Sequence, residues 1–179
     1  MAAAKENIPK AEADANQRLG FLQLCADKRF HRAICLAFET VGRVDPQRYW
    51  LEATAGGSPA LDPTTPTSAH AVLNGATVFG WAAHGDDCGG FAGHATVVMR
   101  ALLHAAIARR ALAYPRSAEH WGFLAVDPPG ATKAGANEAA LPWVEIYRWD
   151  ADAGAVVRHG EDAVCDPNLG CTLRPVPTP

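Results

Sequence analysis

FGWAAHGDDCGGFAGHATVVMRALLHAAIARRALAY, residues 79–114, is the stretch on which the fold turns. From Phe91 to Arg110 it contains no proline, and its last glycine is Gly93. Ala95, Val98, Leu102, Ala105 and Arg109 fall on one helical stripe, and Val97, Ala101, His104 and Ala108 on the next. A helix apolar over so much of its girth is expected to be mostly buried. Arg109 and Arg110 suit its C-terminal end, where backbone carbonyls leave partial negative charge. The pattern predicts a buried central helix starting near Cys88.

Upstream, RLGFLQLCADKRFHRAICLAFETVGRV (18–44) carries Leu19, Leu22, Ile34, Phe38 and Val41 at helical spacing. It reads as one or two helices with a break near Asp27, ended by Asp45-Pro46. Residues 53–67 form a long Gly/Pro/Thr loop, and loops of that length are functional or mobile. Ser68 caps a short helix closed by Asn74-Gly75. Downstream of Pro115 the pattern changes to strands. His120–Val126 stops at Asp127-Pro-Pro-Gly130. Trp143–Trp149 turns at 150–154 into Ala155–His159, a hairpin. Helices first, then a small antiparallel sheet, is an α+β order. Residues 1–17 read as a polar arm, 18–168 as a single domain, and 169–179 as a Pro-rich tail.

A chain of 179 residues with a net charge of -3 is sized for one domain and is not basic enough to live on phosphate neutralisation. The apolar runs are too short to span a membrane. The N-terminus has Lys, Glu and Asp where a signal peptide needs an apolar core, so a cytoplasmic location is expected. Of the five cysteines, Cys25 and Cys35 sit in an apolar run and read as buried thiols. Cys165 and Cys171 flank a tight segment able to close as a disulfide, although reduced thiols are expected in the cytosol. Cys88 differs, because glycine and carboxylate surround it.

A nucleophilic thiol needs a lowered pKa, exposure and a base within reach. Cys88 at a helix N-terminus meets the first need through unpaired backbone N–H groups. Gly89 and Gly90 would let substrate approach and would offer N–H groups to an oxyanion. Asp86 and Asp87 work against the thiolate. His120, opening a strand, is the first choice of base, with Asp166, Asp127 or Glu145 to orient it.

These residues resemble the papain-like cysteine-hydrolase superfamily in its transglutaminase-like and NlpC/P60-like branches, over roughly residues 68–168. Gly85-Asp-Asp-Cys88-Gly-Gly-Phe91 is similar to the NlpC/P60 pattern Asp-Cys-Ser-Gly-Leu/Phe, and His120–Val126 to that family's histidine strand. Cys88-Gly-Gly-Phe-Ala92 with the following helix, Trp143-Val-Glu-Ile-Tyr147 and Asp166-Pro167 resemble transglutaminase-like features. The transglutaminase-type histidine would fall at Leu141, which cannot act as a base. The resemblance implies a papain-like fold and a thiol protease, amidase or acyl transferase acting on a peptide, peptidoglycan or glutamine-type amide, with no cofactor.

Other features carry weaker readings. His84, Cys88 and His94 match no standard metal-ligand spacing, so no metal is expected. His94 and His104 do not share a helical face. Lys28–Arg32 with Arg43 and Arg48 reads as a solvated face. Trp121, Trp143 and Trp149 belong to the core or a groove wall, and Trp50 and Trp81 border loops where a cleft would lie. Trp81 and Trp121 are therefore candidate substrate contacts. The competing reading is a catalytically inactive module that docks into a larger assembly through its tails and loop 53–67.

Overall fold

The computed structural model describes residues 18–85, 88, 90, 95–126, 143–166 and 170–176. In chain order these form β1 (Arg18–Cys25), α1 (His31–Gly42), β2 (Val44–Thr54), a 3-10 turn (Ser58–Ala60), α2 (Pro66–Leu73), β3 (Val78–His84) and α3 (Thr96–Ala113). Then come β4 (Glu119–Val126), β5 (Trp143–Asp150), β6 (Ala155–Arg158), β7 (Glu161–Asp166) and β8 (Gly170–Pro175). One eight-stranded sheet runs β2-β1-β3-β4-β5-β7-β8, with β6 on the edge of β5 beside β7. The first four strands pair in parallel and the rest antiparallel.

This corrects the expected α+β, papain-like arrangement of N-terminal helices followed by a small antiparallel sheet. Two strands read as helix, or left unread, are the reason. Every residue of β3 is buried, as are the last six of β1. A central parallel strand covered on both faces shows no alternation, and its apolar run cannot be told from a buried helix by periodicity. Asp45-Pro46 does not end the block either. Between the pairs Arg18–Val44 and Gly20–Tyr49, β2 spends five residues against two of β1, so Asp45 to Arg48 bulge out of the ladder. An edge strand tolerates a proline there, because no neighbour needs its N–H.

The three β–helix–β connections place α1 on one face of the sheet and α2 with α3 on the other. Leu22, Leu24, Ala82, Phe123 and Ile146 meet Ile34 and Phe38 of α1 in one core. Phe21, Phe79, Trp81 and Leu124 meet Ala71 of α2 and Met99, Leu103 and Ile107 of α3 in the other. Phe38 fits because two strands carry glycine beneath it. A Cβ on Gly80 would come within 2.8 Å of its ring, and one on Gly20 within 2.9 Å.

α3 begins at Thr96 rather than near Cys88, and it is not buried all round. Its inner stripe is Met99, Leu103, Ala106, Ile107 and Arg110, whereas Val97 and Leu112 face solvent. α2 is capped by Thr65, whose side chain accepts from the Ser68 backbone while Ser68 reciprocates, so Ser68 sits inside a capping box. Cys165 and Cys171 are register partners of β7 and β8 and form a disulfide. No helix among the described residues is long and apolar enough to cross a membrane.

Candidate functional site

β1 leaves the sheet through α1 towards β2 on one side. β3 leaves through α3 towards β4 on the other. The C-terminal ends of these neighbouring strands therefore point into a gap from which the chain departs in opposite directions. In open parallel sheets that gap is the usual ligand crevice.

Cys25 is the last residue of β1 and His84 the last of β3, and Cys88 lies four residues further on. One donor atom from each lies within 4.8 Å of the others, and the two sulfurs are 3.9 Å apart. His84 stacks on Phe30 with ring centres 4.6 Å apart. Its Nδ1 is 3.2 Å from the Gly85 carbonyl. A proton on Nδ1 satisfies that contact and leaves the lone pair on Nε2. Nε2 is buried and has no hydrogen-bond partner among the described residues. The Asp27 carboxylate stands 3.9 Å from it. Hydrogen bonds from Arg29 hold that carboxyl below its ordinary pKa, against the opposing effect of burial. His31 Nε2 lies 2.7 Å from the Cys25 carbonyl, tying the start of α1 to the same spot.

The turn after β2 covers this group. Gly57, at φ 65°, lies so close to the Ala82 carbonyl that a Cβ would collide with it and crowd the Cys25 backbone nitrogen. Gly90 is equally close to the Gly56 backbone. Arg110, buried on α3, holds the following residues in place. Its guanidinium donates to the carbonyls of Ser58, Leu61 and Asp62 and to Gln23 Oε1, and lies over the Trp81 ring. Cys88 and His84 are consequently 0% and 1% exposed.

The residues chosen from sequence are not brought together. His120 pairs with Phe79 in register, while His84 pairs with Ala125. Five positions along a strand are roughly 17 Å, so His120 sits at the opposite end of the sheet from His84 and Cys88. There its Nδ1 accepts from Trp81 Nε1, and burial pushes its pKa down to about 4. Asp166 ends β7, with β4 and β5 between it and β3. Glu145 is bound by both Arg100 and Tyr147. Trp81 and Trp121 lie in the two separate cores, one on each face of the sheet, and share no groove. Asp86, Asp87, Gly89, His94, Asp127 and Leu141 lie outside the described residues.

Sequence alone groups His84 and Cys88 with His94 and gives that group no metal spacing; it offers no sign of Cys25 as the third member. The His84-to-Cys88 spacing was visible, but the role of Cys25 appears only once 18–25 is a strand whose end meets the end of β3. The chain matches no family model, no curated protein and no solved structure.

Proposed function

We propose that the chain is a thiol-dependent hydrolase or acyl transferase acting on an amide, with Cys88 as nucleophile and His84 as its base. The observation that carries this reading is the cluster of Cys88, His84 and Cys25 at the sheet's crevice. His84 Nε2 takes the thiol proton, and the thiolate attacks the amide carbonyl. His84 returns the proton to the departing amine, and then activates the water or acceptor that cleaves the thioester. Asp27 stabilises the imidazolium formed in each step. Substrate enters when the Gly56–Gly57 turn lifts, since no carbonyl reaches Cys88 in the closed form.

The complete burial of Cys88 favours a second reading, a non-catalytic module whose thiols only pack. In that reading loop 53–67 is a poor docking arm, because Arg110 fastens it. The compartment belongs to the same proposal. Three reduced cysteines support the cytoplasm, whereas the Cys165–Cys171 disulfide weighs towards an oxidising one.

Alkylation of the native chain across pH, read per cysteine by mass spectrometry, separates the readings. A nucleophile at Cys88 reacts well below pH 8.5, faster than Cys35, whose thiol burial pushes up. Reaction of Cys88 only on global unfolding would sink the enzyme.

A further inference from the structure

We propose that Cys25, His84 and Cys88 bind a soft divalent cation of the zinc class, and that the bound ion silences the thiol chemistry. Only the silencing rests on the proposed function. The binding site stands on geometry alone.

Three donors arrive from three different segments: the end of β1, the end of β3 and the connection after β3. Among the described residues no other three His, Cys, Asp or Glu side chains converge in this way. The spacing suits a tetrahedral ion. With Zn–S bonds of about 2.3 Å, two sulfurs on a tetrahedron lie about 3.8 Å apart. Cys25 and Cys88 are already at 3.9 Å. The imidazole donor lies within 4.8 Å of both sulfurs, so an ion has to draw it inward.

His84 supplies an independent observation. A ligating histidine is commonly oriented by a carbonyl or carboxylate on its other ring nitrogen. Here the Gly85 carbonyl is 3.2 Å from Nδ1. Nε2 is buried without a hydrogen-bond partner among the described residues, which is costly for a polar atom unless something occupies it. The charges also balance. Two thiolates neutralise a divalent ion, and their two protons leave to solvent as it binds. Thiolate and imidazole donors select zinc-class ions over magnesium or calcium, which want oxygen. Asp27, 3.9 Å from Nε2, partly exposed and already paired with Arg29, is placed to order the neutral water that completes the tetrahedron. A Cys88 sulfur bonded to the ion gives up part of its charge to it and is held in the ligand set, so it attacks a carbonyl far more slowly than the free thiolate.

The test titrates cobalt(II) into the reduced, metal-free full chain. Binding produces a thiolate-to-cobalt charge-transfer band with the strong visible bands of a tetrahedral ion, and zinc displaces them. Cys25→Ser, Cys88→Ser and His84→Asn each weaken the affinity by at least about tenfold. Cys35→Ser leaves it unchanged. A weak octahedral spectrum, or a full band surviving Cys25→Ser and Cys88→Ser, overturns the site. Since a variant can misfold, a second measurement uses the wild-type chain. Zinc must protect Cys25 and Cys88 from alkylation and leave Cys35 open, and failure to protect them overturns the proposal. The two proposals fail separately: cobalt binding to a chain whose Cys88 is inert when metal-free refutes the enzyme and keeps the site. A reactive Cys88 that zinc does not protect does the reverse.

Discussion

The sulfurs of Cys25 and Cys88 lie 3.9 Å apart although 63 residues separate them in the chain. A disulfide needs about 2.05 Å, so modest side-chain rotation closes the pair. Treatment with diamide should oxidise both thiols to one disulfide while the reagent is reduced. The unfolded chain then titrates one thiol, Cys35, in place of the three that are reduced in the fold. Three thiols after treatment would show that the crevice does not let the sulfurs meet.

His84 and His120 should separate cleanly on mutation. His84→Asn should lower the alkylation rate of Cys88 by about 10²-fold or more, the usual worth of a positioned base. His120→Ala should leave that rate alone and instead lower stability by about 1–3 kcal/mol, since Trp81 Nε1 loses its acceptor inside the core. Urea unfolding alongside the alkylation kinetics checks both. A rate loss in His120→Ala without a stability loss would restore the histidine expected from sequence.

Acid should unfold the protein partly through His120. The unfolded imidazole titrates near ~6.5. In the fold, burial and then the nearby Arg110 charge push it down to about 4. The unfolded state therefore takes the proton first. The contribution to stability is complete above ~6.5 and is lost as pH falls through 4, up to about 3 kcal/mol. The groups around the ring are Phe79, Trp81 and Tyr114, with Arg110 the charge that acts on it. His120→Gln, which keeps an acceptor for Trp81, should flatten the stability profile between pH 4 and 6.5. An unchanged slope would place the acid sensitivity elsewhere.

Arg110→Met should cost about 3 kcal/mol, because carbonyls of residues 58, 61 and 62 lose a charged donor together. Hydrogen exchange should rise at 55–62 first. Alkylation of Cys88 should quicken, since the turn above it loses its fastening. A destabilised variant with unchanged exchange in that segment would mean the turn is held by its own backbone.

The later strands were legible for a reason. Trp143–Trp149 alternates and ends in a turn, and a half-buried antiparallel strand writes its period into the sequence. β1 and β3 did not, because Leu22 and Phe21 are buried on opposite faces of one strand and both sides read as apolar. Misreading β1 as helix hid the site as well as the sheet. With 18–25 read as helix, Cys25 is one more thiol on an apolar face, and there is no crevice between two strand ends for it to line. Cys88 was singled out because glycines and carboxylates flank it, a local signal. Cys25, its partner 63 residues away, comes from topology, which spacing along the chain does not record.

The position of β1 between β2 and β3 sets a schedule for a chain emerging from a ribosome. Synthesis at about 5–20 residues per second separates Cys25 from Cys88 by about 3–13 s. Throughout that interval the first thiol waits without the second, and β1 has no neighbour on its β3 side. Neither an ion nor a disulfide can therefore claim the pair early. Whatever occupies the crevice arrives only after β3 has docked, as a late seal on the fold and never as its nucleus.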